Sequence, residues 1–89
     1  MRRREVVIRN RLGLHARAAA RFVHAASRFR SRVTAGRDGR VADGKSILGI
    51  LLLAASQGTA IEVCAEGPDE EEAVAALAAL VEGGFGEDA

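Results

Sequence analysis

The sequence predicts an α+β fold: an open-faced sandwich with a four-stranded antiparallel sheet covered on one side by three helices, in the order β-α-β-β-α-β-α. Three observations carry that prediction. Residues 60–66 alternate, with Ile61, Val63 and Ala65 on one side and Glu62, Cys64 and Glu66 on the other, as in a strand with one wet face. Ala19, Phe22, Val23 and Ala26 recur at the i, i+3, i+4, i+7 spacing of one helical face. Between two short strand candidates, Gly36-Arg37-Asp38-Gly39 supplies the Asp-Gly pair of a tight hairpin.

Each element follows in turn. Residues 5–9 are rich in β-branched side chains and read as the first strand. Asn10 to Leu14 contains Gly13 and reads as a loop. The first helix is expected over Ala16–Phe29, with Arg17, Arg21, His24 and Arg28 on its polar face. Residues 32–35 and 40–43 are the hairpin strands. Ser46 is a good N-cap, which favours a short helix over Ile47–Ala55, ended by Gln57-Gly58. Gly67-Pro68 closes the strand at 60–66. Asp69 with Glu72 matches a capping box, and Glu70 to Glu72 put negative charge where a helix dipole favours it. Ala73, Val74, Leu77, Leu80 and Val81 form the apolar face of the last helix. Gly83-Gly84 should end it by taking up positive φ.

The 89 residues fit one small domain, residues 1–89. Hydrophobic residues make up 48%, enough to favour a packed fold over disorder. Aromatics are three Phe with no Trp or Tyr, which argues against stacking platforms for single-stranded nucleic acid. Charge is unevenly spread. Residues 1–45 hold all 13 Lys and Arg but only Glu5, Asp38 and Asp43 as acids, whereas residues 46–89 hold nine acids and no Lys or Arg. In so small a domain the halves must pack together, which suggests one basic and one acidic face. A basic face suits an anionic group or an acidic partner protein. Cys64 is the only cysteine, so an internal disulfide is excluded. The Arg-rich start is followed by too short an apolar run for a secretory signal, and Ile47–Ala55 is too short to cross a membrane. The expected setting is cytoplasmic, without membrane insertion.

His15-Ala16-Arg17 lies at the loop-to-helix junction. The first N–H groups of a helix lack internal partners, and the dipole there is positive, so this end can hold a phosphate. A phosphoryl group on the His15 ring would face the amides of Ala16 and Arg17. The Arg17 guanidinium could grip phosphoryl oxygens, and Arg21 one turn on adds positive field. Nucleophile, oxyanion donors and compensating charge are thus present together. By spacing alone, a loop histidine beside a solvated arginine face remains the competing reading. His15 and His24 are nine apart and Cys64 stands alone, so no zinc-type ligand set is expected. His24 reads as a surface helix residue.

Two stretches carry a resemblance. NRLGLHARAAARFV, Asn10 to Val23, resembles the active-site signature of the HPr phosphocarriers of the phosphoenolpyruvate-dependent phosphotransferase system. DGKSILGILLLAASQGTAIEV, Asp43 to Val63, resembles that family's second signature around a serine. The element order fits the HPr fold. The resemblance implies that His15 takes a phosphoryl group through Nδ1 from the phosphohistidine of enzyme I and gives it to a histidine of an enzyme IIA domain, with Arg17 steadying the group. It implies that Ser46 is a possible site for an ATP-dependent HPr kinase/phosphorylase. Ala18 departs from the pattern, since sugar-transport members usually have Pro there. Together with Gly67–Asp88 it looks more like proteobacterial members, including the nitrogen-related branch. The protein would be a carrier rather than an enzyme, a monomer, and would need no cofactor or metal.

On a helical wheel, Ile50, Leu53 and Ala54 share one side of the short helix, and Ile47, Leu48, Leu51 and Leu52 the other. Only one side can face the sheet, so the second is expected to form an exposed docking patch, unless loops bury both. The resemblance matches Ile47, Leu48 and Leu51 to the surface that meets enzyme I and enzyme IIA, with Arg17 and Arg21 as a basic rim. Two further functions compete with the carrier: a binding module in which His15 is dispensable, and a small nucleic-acid binder using the basic half.

Overall fold

The computed structural model describes residues 1–87. Strands β1 (Arg2–Val7), β2 (Arg32–Arg37), β3 (Arg40–Asp43) and β4 (Ala60–Glu66) form one sheet in the order β1-β4-β2-β3, every neighbouring pair antiparallel. Helices α1 (Ala16–Ala26), α2 (Ile47–Leu52) and α3 (Glu70–Glu82) cover one face, and a single 3-10 turn, Gly84–Gly86, follows α3. The α+β open-faced sandwich is as the sequence predicts.

Register explains the core. Val6 sits opposite Ile61, Val33 opposite Ala65, and Ala35 opposite both Val63 and Ala42. All but the half-buried Ala42 are fully buried, and they meet Phe22 of α1, Ile50 of α2 and Leu77 of α3. Alanines at 18, 19, 26, 73 and 78 are also buried, which lets the helices lie close to the sheet. The hairpin turn is made by Asp38 and Gly39 at φ +49° and +81°, the doubly left-handed geometry that suits Asp-Gly.

Several boundaries move. The first strand runs over Arg2–Val7 rather than 5–9, because the backbone of Arg2–Arg4 pairs with Val63–Ala65 of β4. Arg2 and Arg4 point to the helical side and reach Glu71 and Glu82 of α3 at 3.6 and 3.0 Å. The basic and acidic halves are therefore interleaved along this edge rather than sorted onto two faces. The first helix stops at Ala26 rather than Phe29, where the Ser27 hydroxyl donates to the Val23 carbonyl at 2.7 Å.

The expected capping box at Asp69 does not form. Its carboxylate instead accepts the backbone N–H groups of Arg30 and Ser31, both at 2.9 Å, and the Ser31 hydroxyl. A long-range tie to the start of β2 has outcompeted the local cap. Glu70 takes the Gly67 N–H at 3.2 Å in its place. At the far end of α3, Gly83 keeps φ −82° and Gly84 alone of the pair turns left-handed at +66°.

Candidate functional site

The site begins with the loop that delivers His15. Gly13 has φ +66°, and a Cβ built on it would meet the Ala55 carbonyl oxygen at 2.5 Å. This close approach lets Leu14 N–H donate to the Ala55 carbonyl at 2.9 Å, which fastens the loop to the segment after α2. Leu14 is buried, and His15 follows as the N-cap of α1 in an extended conformation.

The two ring nitrogens of His15 have different partners. Nδ1 accepts the Arg17 backbone N–H at 3.3 Å. Nε2 lies 2.7 Å from Oε2 of Glu87. With Nδ1 accepting, the tautomer that satisfies both contacts carries the ring proton on Nε2 and donates it to the carboxylate. The other oxygen of Glu87 accepts from Asn10 Nδ2 at 2.8 Å, and the same Nδ2 donates to the Gly13 carbonyl at 2.8 Å. Asn10 is buried, and its Oδ1 has no hydrogen-bond partner among the described residues. Burial would raise the Glu87 carboxyl, but hydrogen bonds from Asn10 and His15 outweigh it and hold the group below its ordinary range, helped by the charge of Arg17.

The remaining sequence candidates divide by position. Ala16 and Arg17 are exposed in the first turn of α1, where the amides face outward. No carboxylate forms an ion pair with Arg17 among the described residues. Arg21 is not a free member of a basic rim: its Nη1 donates to the Phe85 carbonyl. Ser46 caps α2, its Oγ accepting the Gly49 N–H at 3.2 Å. Ile47, Leu48 and Leu52 are exposed, Leu48 at 66%. Leu51 is half-buried against the core, so it belongs only in part to the expected patch. Ile50 and Leu53 face inward as expected, whereas Ala54 is exposed beyond the helix end at φ +52°. His24 is exposed away from these contacts, and among the described residues no group of three His, Cys, Asp or Glu could hold a metal.

Glu87 is the residue that sequence reasoning missed. It lies 72 positions from His15 and returns through a turn in which Gly84, Phe85 and Gly86 all have positive φ, at +66°, +58° and +73°. The available signal was Gly83-Gly84-Phe85-Gly86: three glycines that permit a hook, and one Phe that is buried at its base.

Comparison with known proteins identifies the family. Residues 2–83 match the family model described as PTS HPr component phosphorylation site. A curated relative, the phosphocarrier protein HPr of Xylella fastidiosa, is 50% identical over 84 residues, covering 94% of each chain. The crystal structure of HPr-C-His from Thermoanaerobacter tengcongensis is 46% identical, covers 100% of both chains and superposes with a TM-score of 0.95. A second structure from that organism, 47% identical with a TM-score of 0.78 over 98% of this chain and 100% of that one, is described as an HPr dimer. The expectation of a monomer therefore does not follow from the family. No described helix is long and apolar enough to cross a membrane. The fold, the chain-long match and these relatives together show that the chain belongs to the HPr family, the phosphocarriers of the phosphotransferase system, which carry a phosphoryl group rather than act as enzymes.

Proposed function

We propose that the phosphoryl group rides on Nδ1 of His15, accepted from phospho-enzyme I and passed to an enzyme IIA domain. The observation that carries this reading is the division of labour on the ring: Nε2 is committed to Glu87, while Nδ1 offers its lone pair at the N-terminus of α1. That lone pair attacks phosphorus in line, and the bond to the donor histidine breaks with its electron pair returning to the donor. The Arg17 N–H, which now donates to Nδ1, then turns to a phosphoryl oxygen, joined by the Ala16 N–H and the Arg17 guanidinium. On transfer onward, the pair in the Nδ1–P bond returns to Nδ1 and the ring is ready again.

Docking is assigned to exposed Ile47 and Leu48 with half-buried Leu51 of the same helix, and to exposed Arg17 of α1 as the basic member. Ser46 lies at the start of the same helix, so a phosphate placed there by an HPr kinase/phosphorylase would add a charge of about −1.5 to −2 beside that surface. Incubation with enzyme I and phosphoenolpyruvate is expected to give an acid-labile, base-stable phosphoprotein. Equal labelling of His15→Ala would sink the proposal.

A further inference from the structure

We infer that Glu87, buttressed by Asn10, is a positioning residue of this site: its carboxylate keeps the Nε2 proton of His15 in place throughout the transfer cycle, so that the ring always presents a bare Nδ1. The inference rests on the assignment of the phosphoryl group to Nδ1. It draws on residues outside the matched family segment, which ends at residue 83.

Three features support it. The contact is short, 2.7 Å, and shielded, with side-chain exposures of 23% for His15 and 11% for Glu87. The carboxylate is itself fixed, because its second oxygen takes a hydrogen bond from Asn10, whose Nδ2 also holds the Gly13 carbonyl of the loop that delivers His15. The hook that carries Glu87 is anchored independently of the ring, through buried Phe85 and the Arg21 bond to the Phe85 carbonyl. Loop, ring and hook are thus locked to one another through Asn10 and Glu87.

The chemical consequence follows from counting protons. A ring with its proton on Nδ1 must lose it before that nitrogen can attack phosphorus. With the proton held on Nε2, attack needs no proton transfer at all. Once Nδ1 is phosphorylated, the ring carries positive charge while it keeps the Nε2 proton, and the adjacent carboxylate offsets that charge. When the Nδ1–P bond breaks, its electron pair returns to Nδ1 and the proton is still on Nε2. No co-reactant is required, and the ring leaves the cycle in the tautomer in which it entered.

The test uses the full chain with Glu87→Ala and Glu87→Gln. Gln preserves shape and packing but offers one acceptor oxygen to two donors, Asn10 and His15. A packing role would therefore leave Gln like the wild type, whereas the positioning role would not. Ring 15N spectra of His15 should show one tautomer in the wild-type protein, with the proton on Nε2, and a mixture in both variants. Phosphoryl acceptance from phospho-enzyme I should slow about tenfold in both, the size expected for losing one hydrogen bond to a charged group. Thermal melts verify that each variant is folded. A wild-type tautomer or a wild-type rate in Glu87→Gln overturns the inference. If the wild-type protein accepts no phosphoryl group, the carrier assignment fails, and the ring spectra still decide whether Glu87 sets the tautomer.

Discussion

Gly13 and His15 act as a pair at the smallest scale. A left-handed φ of +66° and a backbone approach that leaves no room for a Cβ both fall on Gly13, two residues before the histidine. Gly13→Ala should therefore destabilise the domain by about 1–3 kcal/mol, read from urea unfolding, because the Ala55 carbonyl or the loop must shift. A wild-type midpoint would mean that the loop accommodates the methyl without cost. The neighbours of His15, a helix start and an exposed Arg17, suggested an anion site but left a solvated arginine face as the competing reading, and it was the resemblance of Asn10–Val23 to the HPr signature that favoured phosphate. Glu87 was not legible, because its contact depends on three successive positive φ angles, two of them at glycines whose freedom does not say which way the chain turns.

The helix α2 is the element on which partner recognition is assigned. Its six residues are too few to be stable alone, and its ends are held by outside groups. Ser46 caps the start, and Arg37 Nη1 donates to the Leu53 and Ala54 carbonyls at 2.9 Å just past the end. Ser46→Ala should cost about 1 kcal/mol of stability. Leu48→Glu, on an exposed side chain, should leave stability within about 0.5 kcal/mol while slowing transfer from enzyme I. Unfolding of that variant would instead place Leu48 in the core. The expected Ile47–Ala55 helix overran the real one by three residues, since its apolar run continues past Leu52. Periodicity cannot mark where an apolar segment leaves the helix, and here the arginines of the hairpin do so. The same limit hid the half-burial of Leu51, which is set by the packing of α2 on α1 and the sheet rather than by the wheel. Likewise Asp69 read as a local cap, although its partners are 38 and 39 residues away.

Across the whole molecule, charge ties the two halves of the chain together. Arg2 and Arg4 of β1 reach the acids of α3, although such exposed pairs contribute only about 0–1 kcal/mol each. Asp69 matters more for the response to acid. Its carboxyl is lowered from 3.8 to about 2 by the Ser31 hydroxyl and the Arg30 and Ser31 amides. A depressed folded value stabilises the fold fully above the unfolded value, and that contribution is lost as pH falls through about 2. Asp69→Asn should flatten the acid limb of a stability-against-pH curve, and an unchanged limb would assign acid sensitivity elsewhere. The β-α-β-β-α-β-α order was legible because alternation, helical spacing and the Asp-Gly turn each act over a few residues. Strand order β1-β4-β2-β3 and the meeting of loop and hook are products of assembly. That assembly places one nitrogen of one ring at the N-terminus of α1, and the most direct test is to locate the phosphoryl group. After reaction with enzyme I and phosphoenolpyruvate, nitrogen-resolved NMR of the histidine rings should show phosphorus coupled to Nδ1 of His15. Phosphorus on Nε2 of His15, on His24, or on no histidine would contradict the account.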